Sequence, residues 1–208
     1  MREYVQFSKN QRIHRFIGGL LDALSWAITP VMIAELLLTY VFQVAVVQGD
    51  SMLPTLADND KLLICEFSGR PDPGDIVVIH AENSVLIAKD GSLLFGDGLH
   101  KSIVKRVIAV GGQVLDIDPA TGVVYLNGEP QEELYANTIT QLPDLNNAFV
   151  YPLMIPEGFV FVMGDNRDVS MDSRYSEVGL VPEDSVAGAV LMRIYPLERI
   201  GRLENDAK

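Results

Sequence analysis

Residues 102–117 have the sequence SIVKRVIAVGGQVLDI, in which two apolar runs flank the pair Gly111-Gly112. Short apolar runs bounded by turn residues are typical of strands in an all-β fold. Similar runs recur at residues 62–67, 75–80, 85–88, 123–126, 159–163 and 186–195. Turn-forming stretches separate them: PDPGD at 71–75, KDGS at 89–92, PATG at 119–122 and NGEP at 127–130. We therefore predict a mainly β fold, a sandwich or a barrel.

Length and composition fit one globular domain with an appendage. The chain has 208 residues, of which 48% are apolar and 21% charged, and its net charge is −12. Nucleic-acid-binding proteins need a basic face, and the longest basic cluster here is Lys105-Arg106, so that class is excluded. The single cysteine, Cys65, excludes an internal disulfide and a cysteine-based zinc site. The histidines, His14, His80 and His100, lack metal-ligand spacing.

The distribution of charge divides the chain into three parts. Residues 1–24 form a basic lead, and residues 25–47, SWAITPVMIAELLLTYVFQVAVV, carry one charge, Glu35. From residue 48 onward there are 12 basic and 25 acidic residues, so this part alone is −13. A helix of about 20 residues spans a bilayer, so we predict a transmembrane anchor at 25–47, with a start as early as Phe16. The positive-inside rule places the N-terminus in the cytoplasm and the acidic body outside.

Two features weigh against the anchor, and two alternatives compete with it. Glu35 is costly in hydrocarbon, and Pro30 would kink or start a helix. The alternatives are a buried core helix and a cleaved secretory signal.

The acidic body is predicted at residues 48–200. Within it, residues 131–156 are polar and irregular and indicate an insertion or a flexible arm, and residues 201–208 indicate a solvated tail.

The first candidate for chemistry is Ser51, immediately after the apolar segment. It lies between the flexible Gly49 and the rigid Pro54, a place where a hydroxyl and its own backbone amide can both be exposed. Such an amide can stabilise a developing oxyanion. The alternative is a plain turn between the apolar segment and the domain, since serine is common in turns.

A serine nucleophile needs a base, and Lys105 is the stronger candidate. If residues 102–110 form a strand, Lys105 shares a face with Ile103 and Val107, and Arg106 points the other way. Burial among apolar groups lowers the pKa of a lysine, and the neutral amine can accept a proton. The alternatives are a snorkelling or edge-strand lysine, or a histidine base, although no histidine lies in an evident triad pattern.

The third candidate is the polar stretch GDNRDVSMDSR at residues 164–174, which follows the apolar run FVFVM. Acids alternate there with two arginines, and Arg–carboxylate forks would lock such a loop. Ser170 could then donate or accept a hydrogen bond that orients a lysine amine. The alternatives are a solvated loop or a calcium site, although the spacing is not that of an EF-hand.

Together these segments resemble the type I signal peptidases of bacteria, which are membrane-bound serine proteases with a Ser/Lys dyad. Residues 51–55 match the motif S-M-x-P-T, with Met52 and Pro54 at fixed positions. Residues 105–112 match K-R-V-I-x-x-x-G. Residues 164–174 match G-D-N-R-D-x-S-x-D-S-R throughout, beginning with Gly164, Asp165, Asn166 and Arg167. Three motifs in order behind an apolar segment are highly specific, and the chain is similar to the compact, single-anchor members typical of Gram-positive bacteria.

The resemblance implies a role for each matched residue. Ser51 would be the nucleophile and Lys105 the general base. Ser170 would orient the lysine, and the ion pair of Asp172 and Arg174 would shape the site from behind. Some members carry a serine two residues before the nucleophile that helps to bind the oxyanion. This chain has Gly49 there, so the Ser51 amide is expected to serve. No cofactor and no metal is implied.

The resemblance also implies an activity and a location. A signal-peptidase-like β domain behind one transmembrane helix would remove signal peptides from secreted preproteins at the bacterial plasma membrane. It would cut after small-x-small sites, often Ala-x-Ala, through an acyl-enzyme. The partners would be preprotein signal peptides, bound as an added strand, and the lipid bilayer; no oligomeric state is predicted.

Two rival hypotheses come from other classes. A self-cleaving repressor uses a similar dyad, but it would carry a DNA-binding helix-turn-helix domain where this chain has an apolar segment. A catalytically silent, membrane-anchored β module that binds an exported partner is the second rival. The joint presence of Ser51, Lys105 and Ser170 argues against it.

Overall fold

The computed structural model describes residues 2–66 and 69–203, and the chain divides into two units, residues 1–42 and 43–208. The first unit is one helix, α1, Arg2–Tyr40, with Pro30 inside it. Within α1, Phe16–Leu36 is long and apolar enough to cross a membrane, with a mean hydropathy of 1.6, and none of that window is buried. Those exposed side chains do not fit the alternative of a buried core helix.

The predicted anchor at residues 25–47 needs correction at its C-terminal end. The helix ends at Tyr40, and Phe42–Val46 forms a strand, β1. The sequence FQVAV contains two β-branched valines at alternating positions, which favours a strand over a helix. At the N-terminal side the apolar window begins at Phe16, the earlier of the two starts considered from the sequence.

The second unit is a β domain, which confirms the predicted mainly β class. After β1, the described residues contain twelve more strands: β2 Lys61–Cys65, β3 Ile76–His80, β4 Asn83–Ile87, β5 Leu93–Asp97, β6 Ser102–Val110, β7 Val114–Ile117, β8 Val124–Leu126, β9 Glu129–Pro130, β10 Leu153–Met154, β11 Phe159–Met163, β12 Val181–Pro182 and β13 Val186–Tyr195. Two short 3₁₀ helices, Glu183–Ser185 and Leu197–Arg199, flank β13.

Three sheets account for these strands. The large sheet has seven strands in the order β1-β2-β13-β3-β6-β11-β12. A second sheet has the order β10-β7-β8-β9, and β4 and β5 form a hairpin. Strand β6 is interior to the large sheet and pairs antiparallel with β3 on one side and β11 on the other. A lysine on β6 is therefore not on an edge strand, which removes one of the alternatives for Lys105.

Three clusters of buried apolar side chains form the core. One packs the second sheet against β6 and β11 through residues such as Leu115, Ile117 and Phe161. Another joins β3, β6 and β11 through Val77, Val107 and Val162 among others. The third includes Met52, Leu56, Leu62 and Ile64, so the turn after β1 is packed on the large sheet. Met52 is 1% exposed, which makes it a core residue.

Residues 131–156 are irregular, as predicted, but they are not a flexible arm. Their short strand β10 pairs with β7, and Tyr135, Thr140, Phe149 and Ile155 are buried. Burial of these side chains fixes part of the segment against the domain, whereas other apolar residues of it, such as Leu145 and Val150, are exposed. In the predicted tail, Gly201 pairs with Arg193 and Leu203 packs on the core; residues 204–208 lie outside the described residues.

Candidate active site

Ser51 lies in the tight turn that follows β1. On one side Gly49 has a positive φ of 80° and donates its amide to Asp58 Oδ1 at 2.8 Å. On the other side the amide of Leu56 donates to the carbonyl of Met52 at 2.8 Å, and both of these side chains are buried. The turn is therefore held at both ends while Ser51 itself stays partly exposed.

Lys105 reaches Ser51 from β6. Its Nζ donates a hydrogen bond to Ser51 Oγ at 2.8 Å, and the lysine is 3% exposed. Burial lowers the pKa of Lys105 to about 8, and the nearby carboxylate of Asp172 opposes this shift without cancelling it. The structure therefore brings together a hydroxyl and an amine that loses its proton more readily than an ordinary lysine.

A cavity of about 730 Å³ opens at this pair. Its walls include Ser51 and Lys105. The other lining residues come mainly from three parts of the domain: the end of β1 with the turn that follows it, the start of β6, and the polar loop 164–174. Apolar side chains such as Val46, Val104 and Met171 contribute to the lining. The nucleophile and base candidates are thus accessible to a molecule entering from outside.

The polar loop 164–174 is hydrogen-bonded to the turn that carries Ser51. The Asn166 amide donates to the Ser51 carbonyl at 3.1 Å, and Asn166 Nδ2 donates to the Asp50 carbonyl at 3.0 Å. A Cβ added to Gly164 would collide with the Ser51 carbonyl and with Ser170 Oγ. The loop therefore needs glycine at 164 because the backbone of the turn that carries Ser51 passes directly against it.

The expected Arg–carboxylate fork within the loop is formed by Asp172 and Arg174. Arg174 Nε donates to Asp172 Oδ1 at 2.8 Å, and Arg174 Nη2 donates to Asp172 Oδ2 at 2.9 Å. Arg174 also donates to the carbonyls of Arg167 and Gln141, and the Gly164 amide donates to Asp172 Oδ2 at 3.1 Å. Both ends of the loop are closed on one buried ion pair.

A second fork joins the loop to β6, and sequence analysis assigned it no role. Arg106 donates through Nε and Nη2 to the two oxygens of Asp165 at 2.9 and 2.8 Å. Thr55 Oγ1 donates to the same carboxylate. Arg106 lies opposite Met163 of β11, so the chain leaving β11 passes next to it. The sequence did contain a signal for these two residues, because Arg106 is adjacent to Lys105 and Thr55 belongs to the serine motif.

A third fork ties the loop to residues 131–156. Arg167 donates through Nη1 and Nη2 to the Glu133 carboxylate, both at 2.7 Å. The ring of Tyr135 lies 3.9 Å from the guanidinium of Arg106 and 5.8 Å from that of Arg167. Cation–π attraction therefore adds to the two ion pairs at this point. No sequence motif indicated Glu133 or Tyr135, because they come from a segment that was taken for an insertion.

Comparison with known proteins places the chain in a family. A sequence profile described as "Signal peptidase, peptidase S26" matches residues 20–195. The chain belongs to the peptidase S26 family of signal peptidases. The resemblance found from the three motifs is confirmed.

Two relatives of this signal peptidase show how far the similarity extends. "Probable signal peptidase I-1" of Synechocystis sp. is 35% identical over 175 residues, covering 83% of this chain and 81% of the relative. "Signal peptidase IB" of Staphylococcus aureus is 34% identical over 165 residues, covering 72% and 76%. A crystal structure of signal peptidase I from Enterococcus faecalis V583 is 26% identical, covers 58% of this chain and 97% of that one, and has a TM-score of 0.41. The chain is thus a signal peptidase I, a serine peptidase.

Ser170 departs from the sequence-based expectation, and the histidines were only the alternative to Lys105 as the base. Ser170 is 1% exposed, yet its Oγ has no hydrogen-bond partner among the described residues, so the predicted bond to Lys105 is not formed. His80 Nδ1 lies 3.0 Å from Ser102 Oγ, and His100 Nδ1 lies 3.3 Å from Glu82. Both histidines are exposed and neither lines the cavity, so neither is placed to act as the base.

We expect Glu133→Ala to destabilise this signal peptidase. The Arg167 side chain is 1% exposed and would lose its bidentate partner, and an unpaired buried charge costs about 3–5 kcal/mol. The free energy of unfolding by urea measures the effect. Glu132→Ala, which removes an exposed neighbouring charge, is the matched control and should be near neutral. Equal stability of the two variants would contradict a structural role for the Glu133–Arg167 pair.

Proposed function

We propose that this signal peptidase cleaves its substrates with a dyad of Ser51 and Lys105. The observation that carries the proposal is the hydrogen bond of 2.8 Å between Lys105 Nζ and Ser51 Oγ, made by a buried amine. In its neutral form Lys105 accepts the Ser51 proton while Oγ attacks the carbonyl carbon of the scissile bond. The resulting ammonium then passes its proton to the leaving amine, which leaves an acyl-enzyme on Ser51.

The oxyanion of the tetrahedral intermediate is proposed to bind the Ser51 amide. Within residues 2–66 and 69–203 this amide donates no hydrogen bond, so it is available to a ligand. A preorganised backbone donor at the point where charge develops supplies a large share of such catalysis. In the second half of the reaction, Lys105 accepts a proton from the water that hydrolyses the acyl-enzyme, and Ser51 is regenerated.

Ser170 is proposed to act as a positioning residue for Lys105. A buried hydroxyl without a partner calls for an explanation, because leaving it unpaired costs free energy. A Cβ added to Gly164 would collide with both Ser170 Oγ and the Ser51 carbonyl oxygen, so the hydroxyl is close to the turn that carries Ser51. A hydroxyl rotates freely and can bind the lysine once the amine has given up a hydrogen bond.

The proposed substrate is a preprotein with a small-x-small site, bound as an additional strand. Strand β1 is the terminal strand in the order of the large sheet, and its last residue, Val46, and the following Val47 line the cavity beside Ser51. An extended peptide paired to such an edge would present alternate side chains to the cavity. Small side chains at the first and third positions before the scissile bond suit this arrangement.

The cleavage specificity can be tested directly by mapping the cut bond. The full-length protein in detergent micelles is incubated with a model preprotein whose signal ends in Ala-x-Ala, and the products are analysed by mass spectrometry. We expect one cut, after the second alanine, that is lost when either alanine is replaced by Leu. Cleavage at other bonds, or cleavage that tolerates both replacements, would overturn the proposed specificity.

The membrane is proposed as the second partner, with the N-terminus in the cytoplasm and the catalytic domain outside. Helix α1 contains the membrane-length segment Phe16–Leu36, and residues 41–50 alone separate its end from Ser51. Ten extended residues reach at most about 35 Å, so an anchored helix confines the nucleophile to the neighbourhood of the bilayer. Confinement of enzyme and signal peptide to one surface raises their effective concentration.

We expect the protein to stay with the membrane pellet after alkaline carbonate washing. Its apolar helix segment is long enough to span the hydrocarbon core, which such washing does not disrupt. Immunoblotting of pellet and supernatant measures the distribution. Recovery mainly in the supernatant would contradict the proposed anchor, whereas a peripheral protein in the same sample serves as the control for complete extraction.

Cleavage should become slower on acidification, in the range governed by Lys105. Its pKa is lowered to about 8, mainly by burial, so the reactive neutral amine falls to about one-tenth at pH 7 and about one-hundredth at pH 6. We therefore expect kcat/KM to fall about tenfold per pH unit below pH 8 and to level off above it. Single-turnover assays across pH 5–9 measure this profile. A rate that is flat down to pH 5 would contradict a lysine base.

A further inference from the structure

The charged side chains of the active-site cavity are few. Among the described residues that line it, only Asp50, Lys101 and Lys105 carry charge. Lys105 is buried and hydrogen-bonded to Ser51. Lys101, by contrast, is exposed, and so is Asp50. A substrate entering the cavity therefore meets one accessible cation and one accessible anion.

The backbone at Lys101 is held in place while its ammonium is free. The Lys101 carbonyl accepts a hydrogen bond from the Ala81 amide at 3.0 Å, and the His100 amide donates to the Ala81 carbonyl at 2.9 Å. Within residues 2–66 and 69–203, the Lys101 side chain makes no ion pair and no hydrogen bond. An unpaired cation on a fixed backbone can bind an incoming carboxylate without breaking an existing contact.

Lys101 is a positive charge on a domain whose net charge is negative. From residue 48 onward the chain has a net charge of −13, which disfavours the approach of acidic peptides. Lys101 is close enough to Lys105 to lower its pKa, after the larger effect of burial and the opposing one of Asp172. Asp165 and Arg174 are the other charged groups that act on Lys105. The positive charge of Lys101 therefore influences the protonation of Lys105.

We propose that Lys101 selects substrates by charge, by binding an acidic side chain of the preprotein close to the scissile bond. This inference rests on the proposed function, because it concerns the same cavity. Lys101 lies in the bend directly before β6, four residues from Lys105, so their Cα atoms are at most about 13 Å apart. Since a bound strand advances about 3.3 Å per residue, Lys101 faces substrate positions two to four residues from the bond that Ser51 attacks.

The test compares model preproteins that carry Glu, Gln or Lys at each of these positions, on either side of an otherwise identical cleavage site. We expect the full-length enzyme in micelles to prefer Glu over Lys at one position by about three- to fivefold in kcat/KM, the size of an exposed ion pair. Lys101→Gln should abolish this preference, and Lys101→Glu should reverse it. Raising the salt concentration should weaken the preference of the unmodified enzyme.

Two matched variants separate this role from a general effect of charge. Lys89→Gln makes the same change in net charge in the β4–β5 turn, outside the cavity lining, and should leave the preference intact. Asp50→Asn removes the competing anion and should increase the preference for Glu. An unchanged Glu-to-Lys ratio in Lys101→Gln, with normal cleavage of the Gln substrate, would overturn the inference while leaving the proposed dyad untouched. Loss of all cleavage in the unmodified enzyme would instead count against the proposed function.

Discussion

Replacing Ser51 with Ala is expected to abolish preprotein cleavage, with a fall in kcat of at least about 10³-fold. The substitution removes the one oxygen that Lys105 Nζ contacts at 2.8 Å and so removes the proposed nucleophile. The turn itself should survive, because it is held by Met52 and Leu56 in the core and by Asn166 at the Ser51 carbonyl. None of these contacts uses the hydroxyl, so we expect the free energy of unfolding to change by less than about 1 kcal/mol.

The measurement is single-turnover cleavage of a model preprotein, together with thermal unfolding of the same samples. Ser92→Ala, in the exposed turn between β4 and β5, is the matched control and should cleave normally. Acylation can be followed separately with a serine-reactive probe, which should label the unmodified protein and not the Ser51→Ala variant. Cleavage at an undiminished rate by a folded Ser51→Ala protein would disprove the dyad.

Replacing Lys105 with Met is expected to cause a loss of similar size and to leave the fold at least as stable. Met has nearly the same length and cannot accept a proton, so Ser51 would lose its base. The amine is 3% exposed, and its pKa, lowered to about 8 mainly by burial, indicates that its charged form is unfavourable at this site. An apolar side chain of similar shape removes that cost, although the hydrogen bond to Ser51 is lost as well.

Two further measurements make the Lys105→Met result specific. Lys89→Met removes a charge from an exposed turn and should leave the rate unchanged. The double variant with Ser51→Ala should be no slower than either single variant, because residues that act as one unit are not additive. A Lys105→Met protein that still cleaves, or a double variant that is slower by the product of the two effects, would contradict a shared catalytic step.

Sequence analysis predicted the features that neighbouring residues determine, and it missed those that depend on residues distant in the chain. Strand periodicity and turn residues are local, and they predicted the mainly β class and strands such as β6 and β11. The C-terminal end of the N-terminal helix was predicted too late because FQVAV is both apolar and β-branched, and the choice between helix and strand there depends on the position of this segment in the large sheet.

The candidate site shows the same limit more clearly. Motif spacing indicated Ser51, Lys105 and the loop 164–174, but not the partners that hold this loop. Glu133 lies 34 residues from Arg167 along the chain, in a segment with no motif, and only folding brings the two together. The hydrogen bond predicted between Ser170 and Lys105 is not formed among the described residues, and whether two side chains so far apart in the chain meet depends on the tertiary arrangement rather than on motif spacing.

By itself, the sequence predicted the mainly β class, the apolar helix segment and the candidate residues for the chemistry, because each of these predictions depends on neighbouring residues or on short spacings. The tertiary structure alone decided that Lys105 is buried and that its amine meets a hydroxyl 54 residues away. It also decided that Lys101 lines the same cavity without an ion pair to any residue that the structure describes. The physical reason is that burial and charge pairing are set by which strands lie side by side, and that order is a property of the whole fold.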